Sequence, residues 1–170
     1  ALIMYVIFIA LAIFLYVGGT EANPELTFYA FWENTLSDLG MITTYDGQTN
    51  YYSAVIFTIG TTIFGLSFIP FNMGFPSLFK DKQSTKILAL IASILGYFIA
   101  TGMVLIAFTP HNYGPIISML HMVGVYTAYA AIFFSTILYA VAIFLNKSVK
   151  NAYGIIAVIF CLLFLATLIM

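Results

Sequence analysis

Five long apolar runs, none of which contains a charged residue, constrain this 170-residue chain more than any other feature. A helix needs about 20 consecutive apolar residues to cross the hydrocarbon core of a bilayer, where every backbone polar group must be paired within the segment. The runs therefore predict an all-α polytopic transmembrane helix bundle that forms one domain over residues 1–170. The predicted spans cover residues 2–18, 51–75, 87–109, 116–145 and 153–170.

The composition excludes a water-soluble domain. The chain is 63% hydrophobic and 6% charged, whereas soluble domains carry about 25% charged residues. Its net charge is −1, and nucleic acid is not an expected partner, because phosphate-backbone binding needs a clustered basic surface. The single cysteine, Cys161, lies in an apolar run and is expected to be a packing residue.

The lysines predict which segments share a side of the membrane. All five basic residues are lysines in the stretches 80–86 and 147–150, and five of the six carboxylates lie elsewhere. An excess of lysine is typical of cytoplasmic loops, so these lysines are interpreted as topology determinants. We expect the loops near 80–86 and 146–152 to be cytoplasmic, and the segments 20–50 and 110–115 to be extracytoplasmic.

The segment between the first two spans is predicted to hold an interfacial amphipathic helix at about 24–39. Asn23 is placed to cap this helix, Pro24 suits its first position, and Gly40 would end it. Apolar and polar side chains separate on a helical wheel, as in a helix that lies at headgroup depth. The apolar face holds Phe28, Phe31, Trp32, Leu36 and Leu39, and the polar face holds Glu33, Asn34, Ser37 and Asp38.

Small residues predict where the helices approach each other, because association in lipid relies on close backbone contact. Ala92, Gly96 and Ala100 recur at a spacing of four in the third span. A second stripe of small residues begins at Gly124 in the fourth span. His121 projects near that second stripe, so its side chain is expected to point into the bundle.

One polar cluster on the predicted outer side could carry chemistry. A carboxylate can orient a neutral imidazole as a base, and two histidines with a carboxylate can hold zinc. The catalytic candidates are Ser37, Asp38 and His121, and the metal-binding candidates are Asp38, His111 and His121. No cofactor is predicted, with zinc as the open alternative, because no His-Glu-x-x-His, cysteine-pair or Gly-x-Ser-x-Gly motif accompanies these residues.

Two short motifs resemble features of the multi-pass membrane family catalogued as domain of unknown function 998. They are the stretch 33–40, Glu-Asn-Thr-Leu-Ser-Asp-Leu-Gly, and the residues 108–110, Phe-Thr-Pro, followed by Leu120-His121. The order of parts matches over most of the chain. The resemblance implies a six-helix bundle, with a sixth helix after residue 170, and it singles out Ser37, Asp38 and His121. Family members often carry an acid after the third-helix proline, where this chain has a histidine and an asparagine.

Three functions remain open. The leading expectation is a non-catalytic, lipid-interacting or scaffold subunit of a membrane assembly, with membrane lipids and other membrane-protein subunits as partners. Similar six-helix layouts in autophagy-modulator and lipid-anchor-remodelling membrane proteins imply a lipid-related role by analogy. The alternative is an outer-leaflet lipid hydrolase or transferase, with or without a metal, that uses Asp38, His111 and His121. A second alternative is passive transport of small solutes, whereas the lack of charged residues in every span disfavours ion-coupled transport.

Overall fold

The computed structural model describes residues 1–169, and describes side chains over residues 1–167. Within that range the chain forms five α-helices and two 3₁₀ helices, and its only β-type pairing is one isolated bridge between Thr43 and Thr49. The α-helices are α1 Leu2–Leu15, α2 Tyr51–Gly74, α3 Gln83–Phe108, α4 Pro115–Leu145 and α5 Asn151–Ile169. The 3₁₀ helices are Leu36–Gly40 and Phe75–Leu78.

The predicted helix bundle is confirmed, with one α-helix in each of the five apolar runs. Three helices, α2, α3 and α4, are long and apolar enough to cross a membrane. The other two, α1 and α5, are apolar but shorter, so their crossing stays a prediction. The last residue of the predicted 153–170 span and the implied sixth helix lie outside the described residues.

Three helices begin earlier than their predicted spans, because residues next to an apolar run also form helical turns. α5 begins at Asn151 rather than at residue 153. α3 begins at Gln83 rather than at residue 87. The carbonyl of Lys82 accepts hydrogen bonds from the Lys86 N–H at 3.2 Å and from the Thr85 hydroxyl at 2.9 Å, which closes this first turn. α4 begins at Pro115, where the missing N–H costs no helical hydrogen bond.

The prediction of an α-helix over residues 24–39 is wrong. The chain there forms turns, and only Leu36–Gly40 is helical, as a short 3₁₀ helix. Polar side chains take the amide hydrogens that an α-helix would give to backbone carbonyls. The Asn34 side chain accepts from the Ala30 N–H at 2.9 Å, and the Asp38 carboxylate accepts from the Thr35 N–H at 3.0 Å.

The chain divides into two compact units, and the first comprises Ala1–Leu66 and Thr101–Tyr126. In this unit α1 and α2 approach closely at Gly60, where a Cβ atom would lie 2.5 Å from the Cβ atom of Phe8. Ser53 of α2 reinforces the contact, since its Oγ lies 2.8 Å from an α1 carbonyl oxygen.

The same unit contains close contacts between α3 and its neighbours. The Thr58 hydroxyl of α2 donates to the Ala107 carbonyl of α3 at 3.0 Å. A Cβ atom on Gly124 of α4 would lie 3.0 Å from the Gly102 carbonyl oxygen of α3. Gly124 therefore allows the close approach that the small-residue pattern predicts.

The second unit comprises Ser67–Ala100 and Thr127–Met170, of which the last residue is not described. Its core contains the small residues Ala89, Ala92 and Ala142, which are 0% exposed, packed with larger side chains. The larger members of this core are Phe79, Tyr139 and Ile143.

A buried hydrogen-bonded triad joins three helices of the second unit. The Tyr139 hydroxyl donates to the Asn72 side-chain oxygen at 2.7 Å and lies 2.7 Å from the Ser93 hydroxyl. Since Tyr139 donates to Asn72, the Ser93 hydroxyl is the donor to Tyr139. Gly96 makes room for the triad, because a Cβ atom there would overlap the Asn72 amide group.

Candidate functional site

Asp38 forms the centre of the candidate site and is only 2% exposed. The 3₁₀ helix Leu36–Gly40 positions it, with Thr35 as the N-cap residue. Its Oδ2 atom accepts hydrogen bonds from the Thr35 N–H at 3.0 Å and from the Asn34 side-chain amide at 2.9 Å, and its Oδ1 atom accepts from the Thr35 hydroxyl at 2.6 Å. A carboxylate offers about four acceptor sites, so these donors already occupy most of them.

Two tyrosines lie beside this carboxylate and remain protonated over the physiological range. The Tyr45 hydroxyl lies 3.5 Å from Asp38 Oδ1, and the Tyr29 hydroxyl lies 3.4 Å from the Asn34 carbonyl oxygen. Burial, together with the nearby charge of Asp38, raises the pKa of Tyr29 and of Tyr45 to about 12. Both hydroxyls therefore act as hydrogen-bond donors at neutral pH.

His111 reaches Asp38 from the turn between α3 and α4. Its Nε2 atom lies 3.5 Å from Asp38 Oδ1, a distance that permits electrostatic pairing but exceeds that of a typical hydrogen bond. Its Nδ1 atom is buried and has no hydrogen-bond partner within the described part of the chain. The neighbouring Asn112 holds the same turn in place by donating to the Thr43 carbonyl at 2.6 Å.

His121 lies in the first turns of α4 and is 3% exposed. Its Nδ1 atom lies 2.6 Å from the carbonyl oxygen of Thr109. Because a carbonyl only accepts, Nδ1 carries the proton, which leaves the lone pair on Nε2 in the neutral ring. The rings of His111 and His121 have centroids 5.6 Å apart, so Asp38, His111 and His121 form a connected chain, here called the Asp38 cluster.

The third catalytic candidate, Ser37, is connected by hydrogen bonds to Asp38 only through the Thr35 hydroxyl among the described residues. Its hydroxyl lies 3.0 Å from the Thr35 hydroxyl. Among residues 1–167, neither histidine is hydrogen-bonded to it. The geometry therefore does not activate Ser37 as a nucleophile, since such a residue needs a base within hydrogen-bonding reach.

The described residues contain no group of three His, Cys, Asp or Glu side chains that could hold a metal ion. The metal-binding candidates Asp38, His111 and His121 meet as successive pairs. The Asp38 oxygens are largely occupied by protein donors, and the Thr109 carbonyl leaves only the Nε2 atom of His121 free to ligate. This arrangement does not fit a zinc site, which requires three or four ligands around one point.

An exposed aromatic surface lies on the same segment as Asp38. Phe28 is 57% exposed, Phe31 is 69% exposed and Trp32 is 89% exposed; these three residues are here called the aromatic ridge. The rings of Phe31 and Trp32 contact each other edge to face, with centroids 5.1 Å apart. Glu33, directly after them, accepts a hydrogen bond from the Thr20 hydroxyl at 3.0 Å, which anchors the ridge to the preceding turn.

The chemistry available at the Asp38 cluster is limited. Asp38 can orient His111, and the unpartnered Nδ1 atom of His111 can accept or donate one proton. The hydrogen bonds around Asp38 mainly fix the fold of the segment. The cluster is therefore better suited to holding the aromatic ridge in place than to covalent catalysis.

Several residues of the site were not assigned a role from the sequence. Thr35 and Asp38 form a reciprocal capping box, and the Thr-x-x-Asp spacing is a recognisable signal of that motif. The contributions of Tyr45 and of the Thr109 carbonyl have no such local signal, because they depend on which segments meet in three dimensions.

No protein-family model, curated protein or solved structure matches this chain. The resemblance to the family catalogued as domain of unknown function 998 therefore stays a prediction.

Proposed function

We propose that this chain is a non-catalytic, lipid-interacting subunit of a membrane assembly, and that its aromatic ridge contacts lipid headgroups. The observation that carries the proposal is the exposure of Trp32, which is 89%. Trp32 lies on a segment that follows one apolar helix and precedes another. Tryptophan is enriched at the headgroup level of membrane proteins, because its ring is apolar and its N–H is a donor. The buried Asp38 binds Asn34, whose side chain accepts from the Ala30 N–H beside the ridge. Such fixed local structure reduces the entropy lost on binding lipid.

The proposed sidedness assigns the ridge to the extracytoplasmic surface. The Asp81 carboxylate accepts hydrogen bonds from the Lys147 N–H at 3.1 Å and from the Ser148 hydroxyl, so the two lysine-bearing loops touch. The 110–115 turn likewise touches the 20–50 segment through its bond to the Thr43 carbonyl. These contacts support the proposal, because segments that touch lie on the same side of a membrane.

Fluorescence quenching of Trp32, the only tryptophan of the chain, tests this function. The full chain would be reconstituted into phosphatidylcholine vesicles that contain lipids with a nitroxide at the headgroup or deep on an acyl chain. We expect stronger quenching by the headgroup nitroxide than by the deep nitroxide, and weak quenching by iodide in the water.

A matched variant calibrates the depth scale. Trp32→Phe combined with Ile94→Trp places the only tryptophan in the middle of α3, at a position that is 51% exposed. Its emission should respond mainly to the deep nitroxide. Strong iodide quenching of Trp32 without any quenching by labelled lipids would show that the ridge does not contact headgroups.

The assembly part of the proposal requires a separate measurement. Native mass spectrometry of protein gently extracted from its own membrane reports bound subunits and retained lipids together. We expect a complex of more than one chain. A lone chain without retained lipid would contradict both the subunit role and the lipid interaction.

A second candidate function is acid–base hydrolysis of lipids at the outer leaflet, favoured by the unpartnered Nδ1 atom of His111 beside Asp38. In this role substrate binding exposes the buried Nδ1, which takes a proton from the water that attacks the lipid ester carbonyl while Asp38 orients the ring. As the ester C–O bond breaks, Nδ1 returns the proton to the leaving alkoxide. Lipid turnover by the wild type should then fall about 100-fold in His111→Gln and in Asp38→Asn. Glu25→Gln, an exposed change on the same segment, is the control. Equal turnover in all four proteins would exclude this candidate.

A further inference from the structure

A depression of about 390 Å³ lies in the second unit, where the chain passes from α2 to α3. Small-molecule sites have volumes of about 300–1,000 Å³, so the depression can hold a small polar group. It is lined by Ser77, Phe79, Lys80, Lys82, Gln83 and Lys86, and is here called the lysine cavity.

The positive charges of the lysine cavity are not neutralised by the protein. No carboxylate lines the cavity, and over residues 1–167 the only ion pair within 4.0 Å joins His111 to Asp38. Asp81 is adjacent in sequence to two of the lysines, but its carboxylate binds the 146–152 loop instead. The three lysines that line the cavity are exposed, so their charges are available to an anion from outside the chain.

The backbone around the cavity is well fixed, although the lysine side chains are exposed. Phe79, which lines the cavity, is 1% exposed and belongs to the hydrophobic core of the second unit. Its ring contacts that of Phe75, with centroids 5.7 Å apart. The Thr85 hydroxyl binds the Lys82 carbonyl at 2.9 Å and fixes the start of α3. A fixed backbone reduces the chain entropy that is lost when lysine side chains bind a ligand.

The position of the cavity favours one class of anion. It joins the ends of α2 and α3, both of which are long and apolar enough to cross a membrane. Loops at such ends leave the hydrocarbon at the depth of the phospholipid phosphates. A lysine near an anionic membrane surface contributes about 1 kcal/mol of attraction, which corresponds to about fivefold in affinity.

We propose that the lysine cavity binds a phosphate group, carried by an anionic phospholipid or free in solution. The proposal is independent of the aromatic ridge, because it concerns other residues in the other compact unit. The proposal also differs from a topology signal. A topology signal needs lysine charge anywhere in a loop, whereas the proposed site needs the lysines that line the cavity. Lys147 and Lys150 supply such charge outside the cavity and provide a matched control.

Native mass spectrometry of the full chain in detergent, titrated with phosphatidylglycerol and separately with phosphatidylcholine, tests the proposal. We expect phosphatidylglycerol to bind more tightly. Each of Lys80→Gln, Lys82→Gln and Lys86→Gln should weaken that binding about fivefold. Lys147→Gln combined with Lys150→Gln should leave it unchanged.

Sodium phosphate added at constant ionic strength separates the two sources of the phosphate group. Displacement of phosphatidylglycerol by inorganic phosphate indicates a site for the phosphate group itself, and no displacement indicates recognition of the whole lipid. The single substitutions are at exposed positions, and circular dichroism checks that each variant folds. Equal loss of binding in the cavity and control variants, or no preference for either lipid, would overturn the proposal.

Discussion

At the scale of single residues, Asp38 links a local capping motif to a long-range contact. The Thr35 N–H and hydroxyl bind it from within the segment, and His111 faces it from the turn before α4. A buried charge without partners is costly, whereas one that accepts several hydrogen bonds can be retained. Asp38 therefore stabilises the 20–50 segment and aligns it with that turn.

Replacing Asp38 should destabilise the protein substantially. Asp38→Ala leaves the buried amide of Asn34 and the partly buried donors of Thr35 unpaired, so we expect a loss of about 3 kcal/mol in the free energy of unfolding. Glu25→Ala, an exposed change on the same segment, should cost less than about 0.5 kcal/mol. Denaturation of both variants in detergent measures the difference, and equal stabilities would contradict the structural role of Asp38.

The two tyrosines beside Asp38 predict a sensitivity to alkali. Their pKa values in the folded protein are about 12, above the ordinary value of 10.0, so the folded state holds these protons more tightly than the unfolded state. Their contribution to stability is fully present below pH 10 and is lost as the pH rises towards about 12. Tyr29→Phe combined with Tyr45→Phe should flatten this part of the stability profile, measured by denaturation at stepwise pH. An unchanged slope would contradict the assignment.

At the scale of helices and segments, apolar runs located all five α-helices, because a run without charge has few other stable conformations in lipid. The 24–39 segment was predicted wrongly, because a helical wheel ignores side chains such as Asn34 and Asp38 that compete for backbone hydrogens. The sequence predicted that His111 and Asp38 belong to one cluster on the same side of the membrane. It did not predict which of their atoms meet. The hydrogen bond between Tyr139 and Asn72 joins helices that are far apart in the sequence. It could not be predicted, because hydropathy carries no information about how a helix is rotated about its axis.

Gly96 tests how tightly the buried triad of the second unit is packed. A Cβ atom there would overlap the amide of Asn72, which is 2% exposed and bonded to Tyr139. Gly96→Ala should therefore cost about 2 kcal/mol in the free energy of unfolding, as expected of overpacking.

Gly74→Ala is the matched control for this change. Gly74 ends α2 with helical backbone angles, and nothing lies within 4 Å of a Cβ atom placed there. The substitution should be neutral or stabilise by up to about 1 kcal/mol. Thermal unfolding of the two variants side by side gives the comparison. A Gly96→Ala variant as stable as Gly74→Ala would show that the triad is loosely packed.

At the scale of the whole molecule, both proposed lipid contacts depend on how the chain crosses the membrane. The aromatic ridge belongs to the 20–50 segment, and the lysine cavity follows α2. α2 is long and apolar enough to span a bilayer, and the proposed topology has it cross the membrane between the segment of the ridge and the loop of the cavity. The proposed topology therefore assigns the ridge to the outer leaflet and the cavity to the inner leaflet.

The most direct test is the labelling of single cysteines in sealed vesicles, in a Cys161→Ser background that removes the only native thiol. Asp46→Cys and Lys82→Cys are both at exposed positions, before and after α2. We predict that a membrane-impermeant maleimide labels Asp46→Cys from the extracytoplasmic side and Lys82→Cys from the cytoplasmic side. Labelling of both positions from the same side would contradict the proposed topology.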